Sequence, residues 1–297
     1  MAEHKSDPLD PGHLFGHVED SKEIHFPYKT VKIPQPFARE ENPLVKVNTG
    51  NQLIDRTIGP LDFVITKFMI IELVAAILLI VFFVGLAKAL RGGALPRGTF
   101  RNMLEAMLLF FRDKVARPCI GGHDADRFVP FLWTIFFFVL ALNLFGMIPW
   151  MGSPTGSLAT TAALALITFI TVIAAGMKKL GAWGFLKAQV PHMDLPFPLK
   201  ILLVPMVFVI ELFGLLVKHG VLAVRLLANM MAGHVVLAVI VAFIAASVQS
   251  IWWYVIAPSS LVGAVALSLL ELFVAFLQAY IFTFLSALFI GMAVHPH

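Results

Sequence analysis

The chain has 297 residues, 59% hydrophobic and 13% charged, with a mean hydropathy of +0.87; soluble domains carry about 25% charged residues, so this is the composition of a polytopic membrane protein. The net charge of +4 does not argue for nucleic acid, because the basic residues sit in short loops beside apolar runs rather than along one face. A single cysteine, Cys119, excludes an intrachain disulfide and a cysteine metal cluster, and no HExxH, complete glycine-rich phosphate loop or GxSxG elbow occurs.

Residues 1–60 carry seven Lys/Arg against nine Asp/Glu, with prolines at 8, 11, 27, 34, 36, 43 and 60, and hold no apolar run long enough for a signal peptide. They read as a polar tail, too acidic for a mitochondrial transit peptide, so a bacterial inner membrane is expected. His4, His13, His17 and His25 lie in it without tight ligand spacing, and no metal site is expected. Residues 61–297 form the expected membrane domain.

The first span falls within 63–87, followed by a segment, 91–127, with seven Lys/Arg against four acids. That asymmetry predicts a cytoplasmic segment and an external tail. Inside it, Phe100, Met103, Leu104, Met107, Leu108, Phe111 and Val115 recur at helical spacing, which predicts an amphipathic surface helix over about 99–117. A second span, about 128–149, closes at Pro149 and Trp150; an uncharged link, 151–157, turns the chain into a third span, about 158–177. Lys178, Lys179 and Lys187 return the charge to the cytoplasm, and Pro191, Pro196 and Pro198 mark the next start.

From Phe197 to Ala246 the sequence is apolar except for Lys200 at its start and Glu211, Lys218, His219, Arg225, Asn229 and His234. That is about 75 Å of helix against a hydrocarbon core of about 30 Å. Cutting it at Lys218-His219-Gly220 would leave an implausibly tight connection, so one long, tilted or bent helix is predicted. Trp252, Trp253 and Tyr254 form an interfacial belt before a second long stretch, 261–294, whose one acid is Glu271.

An arginine at a helix centre in a bilayer costs about 2.5–3.5 kcal/mol by insertion scales, so Arg225 marks a functional site. Positions seven apart lie within about 20° on a helix, which puts Glu211, Lys218 and Arg225 on one stripe, with Asn229 joining at i+4. Glu271 and Gln278 share the same interval. His234 would point away from Arg225 and serve another compartment. The structural reading pairs Arg225 with Glu211 or Glu271 as glue within a bundle. The functional one notes that guanidinium is practically impossible to deprotonate, so flanked by titratable groups it gates protons without relaying them.

Arg225-x-x-x-Asn229-x-x-x-Gly233, followed by Glu271 and Gln278, resembles the subunit a family of F-type ATP synthases. The resemblance covers roughly 60–294 and includes Asn143, Pro149, Pro154-Thr155-Gly156, Glu211 and Lys218. Some bacterial relatives have glutamate on the fifth helix and histidine on the sixth; His234 and Glu271 are reversed here, as in mitochondrial-type members. Gly146 and Val221 stand where some relatives carry aspartate and serine.

The resemblance implies an all-α membrane subunit with five crossings and one surface helix, its last two helices long and strongly tilted beside a rotor ring. It implies an essential gate, Arg225; an outer half-channel lined by Asn229, His234, Glu271 and Gln278; an inner one at Glu211; and accessory roles for Lys218, Asn143 and Thr155. The implied partners are c-ring subunits, peripheral-stalk b subunits, other ATP synthase subunits and the bilayer. The implied protein needs no cofactor, makes or breaks no bond itself, and has its N-terminus external and its C-terminus cytoplasmic. A secondary transporter of a small anion and a membrane scaffold are the competing readings; the first usually shows two related halves, and none is evident.

Overall fold

The computed structural model describes residues 23–26, 29–33, 66–90, 99–148, 151–189, 197–248 and 251–295. Pro149 and Trp150, expected to close the second span, lie outside them, as do most of the residues expected to form the polar tail. Within that tail the strands β1 (Glu23–Phe26) and β2 (Lys29–Lys32) pair antiparallel, Glu23 opposite Lys32 and Ile24 opposite Val31. The tail therefore contains an ordered hairpin that its polarity and prolines had hidden. Ile24, Phe26 and Val31 supply the β-branched and aromatic content that strands favour.

Helix α1 (Lys67–Leu90) is the first span. Helix α2 (Thr99–Phe110) runs through a π-helical turn, Phe111–Ala116, into α3 (Arg117–Ile120). Helices α4 (Gly122–Gly146) and α5 (Leu158–Leu180) flank a 3₁₀ turn, Pro154–Gly156, and α6 (Ala182–Ala188) is short. The last two are α7 (Phe197–Ser247), 51 residues, and α8 (Trp253–Val294), 42 residues. Five of the described helices, α1, α4, α5, α7 and α8, are long and apolar enough to cross a membrane.

The 51-residue length of α7 meets the expectation of one helix through Lys218-His219-Gly220. A break there would strand backbone N–H and C=O groups in hydrocarbon, and that penalty exceeds the weak helix preference of Gly214, Gly220 and Gly233. Helix α8 starts eight residues before the predicted stretch, takes in Trp253 and Tyr254, and carries Pro258 inside it. A proline this near a helix start removes only one early hydrogen bond.

The surface helix extends beyond its predicted end by way of the π turn, where the Arg117 N–H bonds the Arg112 carbonyl five residues back. The inserted residue lets Phe111, Val115, Ala116 and Ile120 all stay buried, and it precedes Pro118, whose ring would crowd a regular α-turn. Leu104, Phe111 and Val115 from the predicted apolar face are buried, whereas Met103 is exposed. Trp133 Nε1 donates to the Leu108 carbonyl at 3.1 Å, so this helix packs on α4 as well as lying along the bundle.

Helix α8 packs against α7, α4 and α5; α5 also packs against α7, and α1 against α4. At one end, a side chain on Gly291 of α8 would collide with the Cys119 carbonyl, and His295 Nε2 lies 3.5 Å from Asp124 Oδ2. At the other end, Thr160 donates to Glu72 Oε1 at 2.6 Å, joining the starts of α5 and α1. Lys179 Nζ also donates to Asp124 Oδ2 at 2.7 Å, so the α3–α4 junction, the end of α5 and the end of α8 lie together, as alternating crossings require. Helix α1 is mostly bare, with Leu73, Ile80 and Val81 more than 60% exposed, as suits a lipid-facing span.

Candidate functional site

Along α7, Leu215, His219, Leu222, Ala223, Leu226 and Met230 are buried and define the face turned to the bundle. Val217, Val221, Val224, Ala228 and Ala232 define the bare face. At about 100° per residue, Glu211, Lys218, Arg225 and Asn229 all fall on one shoulder between these faces, and His234 falls on the other. The stripe drawn from spacing is thus present, and it lies at the edge of the buried face.

Lys218 Nζ is 3.7 Å from Glu211 Oε1, with both side chains about two-fifths exposed. Glu271 is buried, and its Oε1 is 3.9 Å from His234 Nδ1. Both carboxylates that the glue reading offered to Arg225 therefore have other neighbours. Among the described residues, no hydrogen-bond partner and no carboxylate within 4 Å is found for Arg225, which is half-buried. Asn229, one turn further, is half-buried too.

Gly233 explains how Glu271 reaches α7. A Cβ there would sit 2.7 Å from Glu271 Oε1 and 3.0 Å from its Cδ, so a side chain at 233 would displace the carboxylate from this position. On α8, Glu271, Ala275, Gln278 and Phe282 form a buried stripe at i, i+4, i+7 and i+11. Asn143, fully buried on α4, donates from Nδ2 to the Ala275 carbonyl at 3.2 Å, between the levels of Glu271 and Gln278. Three elements thus converge: α4 brings Asn143, α7 brings His234, and α8 brings Glu271 and Gln278.

Four buried side-chain atoms have no protein hydrogen-bond partner among the described residues: Asn143 Oδ1, His234 Nε2, Glu271 Oε1 and His219 Nε2. Buried polar groups are nearly always satisfied, so each such atom calls for an explanation. Three of the four belong to this one junction.

Thr155 is fully buried in the 3₁₀ turn, its Oγ1 3.1 Å from Ser153 Oγ. That turn packs on α7 just after Asn229: a Cβ on Gly156 would lie 3.8 Å from Met231 Cγ. A Cβ on Gly146 would lie 2.6 Å from Ser153 Oγ and 3.1 Å from Met230 Cε, which accounts for glycine where an aspartate was the family alternative. Val221 is on the bare face, about half exposed.

Sequence reasoning overlooked three groups. His219 is buried between Phe169 and Phe289, ring centroids 5.2 and 4.9 Å away, with Nδ1 bonded to the Leu215 carbonyl at 2.9 Å. The sequence places it inside the long helix among the polar exceptions but assigns it no role. Ser153 and the Glu72–Thr160 pair carry no recognisable spacing and become visible only when the α4–α5 turn and α1 are brought together.

The sequence profile of the family described as ATP synthase A chain matches residues 68–291. The chain is 42% identical over 242 residues to the protein named ATP synthase subunit a of Myxococcus xanthus, covering 80% of this chain and 77% of the relative. It is 38% identical over 294 residues to the ATP synthase subunit a of Chloroherpeton thalassium, covering 98% and 78%. With the protein of that name from Anaeromyxobacter dehalogenans it shares 39% identity over 240 residues, covering 80% of this chain and 60% of the relative.

Proposed function

The chain belongs to the ATP synthase A chain family, and from that membership we propose that it conducts protons through two offset half-channels that meet a rotating c-ring beside α7. It is a membrane component of an ATP synthase. Arg225, within a long apolar helix and without a protein counter-charge among the described residues, carries this reading. An isolated charge in hydrocarbon is expensive, and the expense is offset if Arg225 attracts a carboxylate presented by the ring.

In this mechanism the outer half-channel runs by His234 and Glu271 toward Asn229, with Gln278 and Asn143 along its wall. The orphaned atoms of Asn143, His234 and Glu271 fit a path in which water supplies the missing partners. The 3.9 Å separation of His234 and Glu271 is longer than a direct hydrogen bond and suits a proton passed through one bridging molecule. Arg225 favours the ionised form of the ring carboxylate and so forces release of the outer proton onto the ring only when the site has rotated past. Glu211, held near Lys218 toward the start of α7, accepts the proton leaving on the inner side. Each charge crossing 100 mV releases about 2.3 kcal/mol, so several protons must be coupled to each ATP. Thr155 acts by bracing the turn against Met231 rather than by carrying protons.

The bare face of α7 at Val221, Val224 and Ala228 is the surface offered to the ring. Peripheral-stalk b subunits would bind elsewhere on the chain. The basic loops face the cytoplasm of a bacterial inner membrane, the tail at 1–60 faces outward, and 61–297 is the membrane domain.

Both geometry and orientation are open to one set of cysteine measurements. In a Cys119→Ser background, Ala228→Cys should form a disulfide with a cysteine placed beside the carboxylate of a c-ring subunit, and Ile167→Cys, exposed on α5, should not. In the otherwise unaltered chain, Cys119 should react with an impermeant maleimide only after permeabilisation, and slowly, because burial pushes its thiol pKa up. Cross-linking from Ile167→Cys but not Ala228→Cys would remove the ring-facing role of α7. Labelling of Cys119 in intact cells would invert the orientation.

A further inference from the structure

At the end of the bundle opposite the α4–α5 turn, a cavity of about 280 Å³ opens between the start of α4, the end of α5 and the end of α8. Its rim carries Arg127, Lys178 and Lys179, with Asp124 as the one acid. Asp124 is already committed: Lys179 Nζ donates to its Oδ2 at 2.7 Å, and His295 Nε2 lies 3.5 Å away. For Arg127 and Lys178, both exposed, no carboxylate within 4 Å is found among the described residues. The cavity therefore presents two uncompensated cations. Its other wall is apolar and leads into the membrane: Ile170 lines it, and Ile170, Ile167 and Leu166, all more than half exposed, continue along the outside of α5.

We infer that this cavity binds the phosphodiester headgroup of an anionic phospholipid, with an acyl chain lying along Ile170, Ile167 and Leu166. Two free cations at the water interface above an apolar track match the two halves of such a lipid, and basic pockets between transmembrane helices recognise lipid phosphates by this chemistry. A soluble anion would use the cations but gain nothing from the track. The inference rests on α4, α5 and α8 spanning the bilayer and is independent of the proton path.

The test uses the purified complex in detergent, with bound lipid counted by native mass spectrometry during titration with phosphatidylglycerol, phosphatidylcholine or inorganic phosphate. Phosphatidylglycerol should bind the unaltered complex, and Arg127→Gln with Lys178→Gln should weaken it about 30-fold, the effect of removing two cations near an anionic lipid. Ala174→Trp, which fills the cavity without changing charge, should weaken it as well, and decides the matter if the double variant fails to assemble. Equal phosphatidylglycerol binding to unaltered and variant complexes would overturn the proposal. Equal affinity for phosphatidylcholine would do so too, by reducing the site to ordinary annular lipid, and displacement of the lipid by millimolar phosphate would make it a free-anion site.

Discussion

Apart from Arg127 and Lys178, whose charges face the cavity at the basic end, charged side chains are treated in opposite ways at two levels of this molecule. At the basic end of the bundle, Arg112 grips Asp126 with two hydrogen bonds of 2.9 and 3.0 Å, Arg117 binds Asp113 at 2.8 Å, and Lys179 binds Asp124 at 2.7 Å. In the apolar middle of α7 and α8, Arg225 has no such partner among the described residues and Glu271 has only His234, 3.9 Å away. Solvation predicts the reverse, since exposed ions lose little when unpaired whereas ions in hydrocarbon lose much. The level at which pairing matters most is the one where it is missing. A constellation kept in that state is suited to exchanging charge with something outside the chain, and the paired end is suited to holding helices together.

The sharpest way to break this contrast is Arg225→Lys, which keeps a positive charge in water but not the properties of guanidinium. Burial disfavours the ammonium form and can lower its pKa by several units, whereas guanidinium stays charged and keeps its planar donor fork. A permanent barrier becomes a titratable site. ATP-driven quenching of an acridine dye in inverted vesicles should fall to background, with normal subunit content on blots. Near-normal quenching would reduce Arg225 to an ordinary cation.

The next effect concerns the titratable pair that α7 and α8 bring together, His234 and Glu271. His234→Glu and Glu271→His should each lower pumping by about tenfold, equivalent to about 1.4 kcal/mol. Together they should recover part of the loss, because contacting residues couple by about 0.5–3 kcal/mol. A double variant no better than the worse single one would mean that the pair does not act as a unit. Gly233→Ala sharpens the point, since its methyl would sit 2.7 Å from Glu271 Oε1 and push the carboxylate away without altering any titratable group.

How much of this was visible in the sequence depends on whether the physics is local. The single long α7 followed from length and from the tightness of any connection at Lys218-His219-Gly220, and the shoulder holding Glu211, Lys218, Arg225 and Asn229 followed from the 3.6-residue period. The pairing of His234 with Glu271 came from a family resemblance, because nothing in the spacing of either helix sets their register. The requirement for glycine at 146 and 233 was illegible for the same reason: each is imposed by a side chain more than six residues away, Ser153 and Glu271. The π turn escaped notice because a six-residue stretch, Phe111–Ala116, has the same apolar pattern as the helix around it. His219 falls within the predicted long helix between Lys218 and Gly220 with no role suggested by its spacing, and only the rings of Phe169 and Phe289 show it to be interior.

The smallest expected effect is at the paired end, and it is the control that gives the others meaning. Arg112→Gln removes the guanidinium from the best-formed ion pair in the described structure while keeping a polar, uncharged side chain. Donation to the Asp126 carboxylate raises the Arg112 pKa beyond its ordinary value, so the group is charged at every working pH and the variant is a clean loss of one charge. Water can then solvate the Asp126 carboxylate, which is about half exposed and still has Arg117 at 3.6 Å. The residue also lies outside the junction of Asn143, His234 and Glu271. Subunit content and dye quenching should stay within roughly twofold of the unaltered protein, the usual outcome of a surface substitution. A loss as deep as that of Arg225→Lys, with assembly intact, would mean that the paired network belongs to the conducting path, and the division of labour between the two levels would fail.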